Sequence, residues 1–157
     1  MRSYLVLLSL LSVWAHAQDA DLPGHTEIML QRTGCLGTCP EYKLIIHANG
    51  SVVYEGRNYV HIQGVRKSKL SPSAVQALTQ KFIDAKFFDM QGGSIVIDAP
   101  VTTVSFAFDG RRNEVKEGCT CPSDLVKLEA AIDEAAGSAR WVRGRLRMLL
   151  HWPWIRP

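Results

Sequence analysis

The stretch Arg32–Tyr42, RTGCLGTCPEY, is the segment around which the rest of the chain is arranged. It places Cys35 and Cys39 four positions apart and adds Gly34, Gly37 and Pro40. Glycine reaches backbone angles closed to other residues, and proline biases the residue before it towards extended backbone. We therefore predict a shaped loop that carries two sulfurs between two strands.

The segments around this loop have the residue types of an antiparallel sheet. Asn49-Gly50 and Asp109-Gly110 are typical of two-residue hairpin turns, because both positions tolerate positive φ. Enrichment in β-branched and aromatic residues, with alternation, indicates the strands. They are predicted at Glu27–Arg32, Tyr42–His47, Ser51–Glu55, Arg57–Ile62 (continuing the third strand beyond Gly56), Gly64–Lys69, Val101–Phe108 and Asn113–Glu117.

Two amphipathic helices are predicted. Ser71-Pro72 is typical of a helix start, with serine as the cap and proline at the first helical position. The apolar face of this helix is predicted from the spacing of Val75, Leu78, Phe82 and Ile83. A second helix is predicted from Cys121-Pro122 onward, with Leu125, Leu128 and Ile132 on its buried face. The predicted fold class is α+β: an antiparallel sheet of about five or six strands, with two helices packed on one face.

The chain divides into four segments. Residues 1–17 have the pattern of a secretory signal peptide, with Arg2, an apolar run at 4–13 and Ala15-His16-Ala17 as the cleavage site. A short lead segment covers 18–26, a single α+β domain covers 27–142, and a tail rich in arginine and tryptophan covers 143–157. No cysteine follows the cleavage site, so we expect a periplasmic or extracellular protein that is not a lipoprotein, in a compartment where cysteines form disulfides.

The charge distribution argues against a nucleic-acid partner. The chain sums to +3, but Arg2 contributes one charge and the five arginines from Arg140 onward contribute five. The body between Gln18 and Ala139 therefore carries −3, whereas nucleic-acid binding usually requires a basic body.

The pattern of Cys35, Gly37, Cys39, Pro40 and Tyr42 resembles a C-x-G-x-C-P-x-Y signature. Together with VVYEG and DAPVTTVSF, it is similar to a family of small exported bacterial proteins catalogued as a domain of unknown function. The likeness runs from about Ile28 to Trp141. It implies a single exported domain, and it brings no activity, ligand or catalytic residue with it.

Cys35, Cys39, Cys119 and Cys121 allow three interpretations. We favour structural disulfides, with the second pair reaching across to the first, since a bridge over so long a loop stabilises by about 4 kcal/mol. A thiol-redox site is the alternative, because a cysteine at the start of a helix has a favoured thiolate. Zinc or copper(I) bound by four sulfurs is the third interpretation, although neither cysteine spacing is typical of zinc.

Two groups of cations are candidate contact sites. Arg57, Arg66, Lys67 and Lys69 lie in one polar strand region, where they either protect a sheet edge or contact an anionic partner such as a glycan. Arginines and tryptophans alternate with leucines in the tail, a composition suited to an anionic membrane surface. The residues proposed for that contact are Arg143, Arg145, Arg147, Trp152 and Trp154.

The function expected from the sequence is a disulfide-stabilised, non-enzymatic binding module of the bacterial cell envelope. No spacing of serine, histidine or carboxylates indicates a catalytic site, and no cofactor is implied. The expected partner is an envelope protein or a glycan, with peripheral membrane contact through the tail. The alternative is an exported thiol-redox or metal-handling protein that uses the four cysteines.

Overall fold

The computed structural model describes residues 22–95, 98–118 and 123–144. The elements are β1 (Glu27–Arg32), β2 (Tyr42–His47), β3 (Ser51–Gly56), β4 (Gly64–Lys69), α1 (Pro72–Asp84), a 3₁₀ turn (Phe87–Asp89), β5 (Thr102–Phe108), β6 (Arg111–Glu117), α2 (Ser123–Ala136) and α3 (Ala139–Val142). The predicted α+β class is confirmed. The signal peptide (1–17), residues 18–21 of the lead segment and the tail beyond Gly144 lie outside the described residues.

The six strands form one antiparallel sheet in the order β4-β3-β2-β1-β5-β6. In β2, Tyr42, Leu44 and Ile46 are buried, while the residues between them are half-exposed. Because side chains alternate across a strand, the buried set marks the face that the helices cover. The other face is built from the remaining positions, which include Lys67 on β4 and Glu114 on β6.

An aromatic cluster forms the part of the core between α1 and the sheet. The ring centroids of Phe82 and Phe106 lie 4.7 Å apart, and those of Phe82 and Phe87 lie 5.0 Å apart. At the other side of the core, Trp141 of α3 packs on Tyr54 with centroids 4.9 Å apart. Each such ring buries a large apolar area, so these contacts fix the helices against the sheet.

The Asp109-Gly110 turn and the start of α1 are as predicted. The hairpin at Asn49-Gly50 forms, but its loop has three residues, 48–50, because only Gly50 takes positive φ and its N–H donates to the His47 carbonyl at 2.9 Å. Gly50 has φ +80°, and Asp109 and Gly110 have φ +50° and +72°, the left-handed region that these turns require. The side chain of Ser71 accepts a hydrogen bond from the backbone N–H of Ala74. β6 begins at Arg111, two residues earlier than predicted, because the two-residue turn leaves Arg111 directly opposite Phe108.

Two further local predictions are wrong. Ile83 is 39% exposed, since the buried face of α1 is centred on Val75, Leu78 and Phe82. The third strand ends at Gly56 instead of continuing to Ile62. There the chain curls back, so that the hydroxyl of Tyr54 donates to the Ile62 carbonyl and the Ile62 N–H donates to the Trp141 carbonyl.

Candidate functional site

Residues 33–41, here called the disulfide loop, connect paired ends of β1 and β2. Backbone bonds hold the loop to its neighbours on both sides. The N–H of Leu36 donates to the Asp98 carbonyl at 3.2 Å, and the N–H of Glu41 donates to the Asn58 carbonyl at 2.8 Å. Thr33 adds a reciprocal pair with Val101, since its hydroxyl accepts from the Val101 N–H at 3.0 Å. The loop therefore has a fixed position relative to two other loops.

Cys35 and Cys39 form a disulfide with each other, with Cα atoms 5.6 Å apart. This corrects our expectation that the first cysteine pair bridges to the second. The turn at Gly37, whose N–H donates to the Cys35 carbonyl at 2.8 Å, brings the two cysteines together locally. In the chain-entropy model so short a loop contributes only about 2 kcal/mol. Cys119 and Cys121 lie outside the described residues.

The tip of the disulfide loop is exposed. Leu36 is 87% exposed, next to exposed Gly37 and Thr38. Gly34 and the two cysteines are half-buried, and Pro40 is exposed. Leu36 is the most exposed large apolar side chain among the described residues, and its place at the tip of a closed, anchored loop makes it a candidate contact point.

A polar network lies behind the loop and joins the sheet to α2. Nη1 of Arg32 lies 2.9 Å from Oε2 of Glu129, and Nη2 lies 3.2 Å from Oδ2 of Asp133. The hydroxyl of Tyr42 accepts from Nε of Arg32 at 3.0 Å and donates to Oδ1 of Asp133 at 2.9 Å. Ser138 donates to the same Oδ1 at 2.5 Å. The last residue of β1 and the first of β2 are thereby tied to α2.

Burial and charge shift the pKa values of this network. Burial by itself would lower the pKa of Arg32, but Tyr42, Glu129 and Asp133 outweigh it and raise that pKa. Burial, then Asp133, raises the pKa of the Tyr42 phenol, while Arg32 partly opposes them. Burial also raises the pKa of Glu129, with Arg32 opposing and Glu117 and Asp133 adding to the rise. At neutral pH the phenol is uncharged, so carboxylates balance the guanidinium.

The network lines a cleft of about 490 Å³. Arg32 and Tyr42 form one wall, and residues of α2, the turn after it and α3 form the other. Because each polar group just described already has a protein partner, the cleft offers few unsatisfied groups to a ligand. We therefore regard the network mainly as the support of the loop.

The structure separates the predicted anion contacts into two places. Arg57 lies in the loop after β3 and pairs with Glu55 at 3.2 Å and Glu41 at 3.5 Å. Arg66, Lys67 and Lys69 are together on β4. Arg66 donates to the Val65 carbonyl at 2.8 Å.

Only one of the five predicted membrane contacts lies within the described residues. Arg143 is exposed at the end of α3, whereas Arg145, Arg147, Trp152 and Trp154 lie outside the described residues. Within the described ranges, none of the helices has the length and hydropathy to traverse a bilayer.

Sequence reasoning missed Arg32, Glu129 and Asp133 as a site. One signal was present: Glu129 and Asp133 each follow a buried residue of α2, Leu128 and Ile132, and they are four positions apart. Residues at that spacing share a helix face, where two acids repel each other, so a cation placed between them stabilises the pair.

A family model described as Domain of unknown function (DUF6438) matches residues 26–136. The matched range contains the disulfide loop, both strands beside it and the acids of α2. The predicted resemblance to a domain of unknown function is thereby confirmed. No curated protein matches the chain.

Proposed function

Since the chain belongs to the family described as Domain of unknown function (DUF6438), which supplies no activity, we propose from its geometry that it is an exported, disulfide-containing, non-enzymatic binding module of the bacterial cell envelope. The exposed Leu36 at the tip of the anchored disulfide loop is the observation that carries this proposal. The partner is an envelope protein with an apolar pocket for that side chain.

Preorganisation supports the loop as the recognition element. The bridge, the backbone bonds to Asp98 and Asn58, and the polar network below Tyr42 hold the loop before any partner arrives. A rigid loop loses little conformational entropy on binding, so more of its contact energy appears as affinity. Complete burial of a leucine side chain is worth about 1.5–3 kcal/mol, or roughly one to two orders of magnitude in Kd.

The sequence supports export, through the leader pattern at 1–17 and the oxidised cysteine pair expected in such a compartment. Amino-terminal sequencing of the exported protein tests this part. We expect Gln18 as the first residue, and retention of residues 1–17 in the cytoplasm contradicts export.

Photo-crosslinking tests the recognition element. A photoreactive amino acid is placed at Leu36 or at Ile83 of the full chain, two surface positions in different elements. We expect a discrete adduct with an envelope protein from position 36 that is absent from position 83. Binding of the identified partner should weaken at least about tenfold in Leu36→Glu and stay unchanged in Ile83→Glu. Equal adducts from both positions, or none, overturn the loop as the binding element.

One observation favours the thiol-redox alternative. Cys35 and Cys39 are only half-buried, so a small thiol can reach their bridge. Equilibration of the folded protein with glutathione buffers separates the two functions. A bridge that opens at the poise of the glutathione pool supports redox chemistry, and a bridge that persists well below that poise supports a structural role.

A further inference from the structure

The two edge strands of the sheet differ in how far the rest of the chain covers them. The outer side of β6 is covered by the segment that follows α1. The amide of Asn113 donates to the carbonyls of Phe87 and Met90 at 2.7 and 3.0 Å, and the N–H of Gly118 donates to the Ser94 carbonyl at 3.2 Å. Beside Lys116 the two backbones approach so closely that a Cβ on Gly92 would collide with the Lys116 carbonyl.

The other edge, β4, is open. Five of its six residues are exposed, and Ser68 is half-buried. It pairs with β3 along its whole length, from Gly56–Gly64 to Ser51–Lys69. Among the described residues no further strand pairs with it. An open edge strand presents a row of backbone N–H and C=O groups on which another strand can pair.

The charges of this edge are of one sign. β4 contains Arg66, Lys67 and Lys69 and no acid. Within the described ranges, none of these three cations forms an ion pair with a carboxylate, and the nearby Glu55 pairs with Arg57 instead. Lys67 and Lys69 are two positions apart, so they lie on the same face of the strand, together with Val65, which is 53% exposed.

From these observations we propose that β4 is a docking edge for an extended acidic peptide, which adds to the sheet as a seventh strand. Backbone bonds supply the general attraction, as in other strand-addition complexes. Acidic side chains at alternate positions of the peptide lie beside Lys67 and Lys69, and an apolar side chain of the same face lies beside Val65. This surface is separate from the tip of the disulfide loop, and its test does not depend on the proposed function.

The positive charge of β4 favours an acidic peptide over two other strands that could pair with this edge. A second copy of the chain that pairs β4 with β4 brings lysines and arginines next to one another, and like charges on adjacent strands are destabilising. The tail from Arg145 onward contains three arginines and no acid, so it meets the same repulsion. The lysines that disfavour pairing with basic segments favour pairing with an acidic one.

Binding of a synthetic peptide to the full chain tests the proposal. The probe is a short peptide in which two glutamates and a valine occupy successive alternate positions, with threonines between them, so that all three lie on one face of the strand. The matched probe has the same sequence with its backbone amides N-methylated. NMR of the isotope-labelled protein follows the amides of Gly64–Lys69. We expect the shifts to concentrate on these amides, and we expect N-methylation to weaken binding at least about tenfold, because it removes the donors for strand pairing.

Charge reversal provides the second arm. Lys67→Glu should weaken binding of the unmodified peptide by about tenfold, whereas Lys116→Glu, the same charge change on the covered edge, should leave it unchanged. Equal binding of the N-methylated peptide would overturn the proposal and indicate a site that recognises negative charge alone, such as that of a glycan. Shifts centred on another element, or no binding of either peptide, would also overturn it.

Discussion

The hydroxyl of Tyr42 donates a hydrogen bond to Oδ1 of Asp133 at 2.9 Å, across 91 positions of sequence. The hydroxyl oxygen of Tyr42 also accepts a hydrogen bond from Nε of Arg32 at 3.0 Å. Tyr42 is the final residue of the cysteine signature and the first residue of β2, so this bond connects the disulfide loop directly to α2. The tyrosine of the signature thus ties the disulfide loop to α2.

Removal of this hydroxyl should destabilise the domain. Tyr42→Phe leaves Nε of Arg32 and Oδ1 of Asp133 with one partner fewer in a half-buried site, a change that typically costs about 1–3 kcal/mol. Urea unfolding measures the free energy. The matched control is Tyr59→Phe, since Tyr59 is 59% exposed and should change stability by less than about 0.5 kcal/mol. Equal stability of the two variants would contradict the role of the bond.

Arg32 should be harder to replace than any exposed cation. Arg32→Met removes the guanidinium that contacts both Glu129 and Asp133, so these neighbouring carboxylates lose a balancing charge. We expect a loss of about 2–4 kcal/mol in chemical unfolding, because breaking a largely buried ion pair strands its partners. Arg111→Met, at an exposed pair 3.9 Å long, should cost under about 1 kcal/mol. Similar losses for both variants would mean that Arg32 acts only through its aliphatic stem.

The stability of the domain should depend on pH through Glu129. Burial raises the pKa of Glu129 above its ordinary value of 4.5, with Glu117 and Asp133 adding to the rise and Arg32 opposing it. The carboxyl group of Glu129 therefore binds its proton more tightly in the folded state than in the unfolded state. The stabilisation is complete below pH 4.5 and is lost as the pH rises through the elevated pKa.

A comparison with Glu129→Gln isolates this effect, because most other titrating groups are common to both proteins. The unfolding free energy of the wild type minus that of Glu129→Gln should decrease as pH rises from about 4.5 towards 7. Urea unfolding at several pH values gives the difference. An increase with pH would mean that Arg32 outweighs burial at this carboxylate.

Much of the fold could be read from local patterns. Turn chemistry at Asp109-Gly110, the cap at Ser71 and the spacing of Leu125, Leu128 and Ile132 are each decided by a few neighbouring residues. Those predictions succeeded because the local preference and the final fold agree.

The remaining features depend on contacts distant in sequence. The segment after Gly56 has the composition of a strand, yet bonds to Tyr54 and Trp141 fold it into a loop. Arg32 was assigned to the strand entering the cysteine loop, and nothing beside it in the sequence reveals that Glu129 lies 2.9 Å away. Such tertiary contacts override the propensity of a short segment.

Gly92 should tolerate no side chain, although the sequence presents it as an ordinary loop glycine. A Cβ at Gly92 would meet the carbonyl of Lys116, a backbone atom that cannot rotate away. We expect Gly92→Ala to cost about 1–3 kcal/mol and to increase hydrogen exchange along β6, because the covering segment must move. Gly24→Ala is the control, since no atom lies within 4 Å of the new methyl group. Unchanged exchange along β6 in Gly92→Ala would show that the segment does not protect this edge.

The pairing of the cysteines can be decided without any mutation, because trypsin separates the two pairs. Cleavage after Arg32 and Lys43 releases residues 33–43 with Cys35 and Cys39, and cleavage after Lys116 and Lys127 releases residues 117–127 with the other two cysteines. A bridge from Cys35 to Cys39 leaves the first peptide on its own and lighter by two hydrogens than its reduced form. We expect that mass from protein digested without reductant, and its shift on reduction is the internal control. Any bridge between the pairs must instead join the two peptides into one, and finding that joined species would show that the first pair does not close on itself.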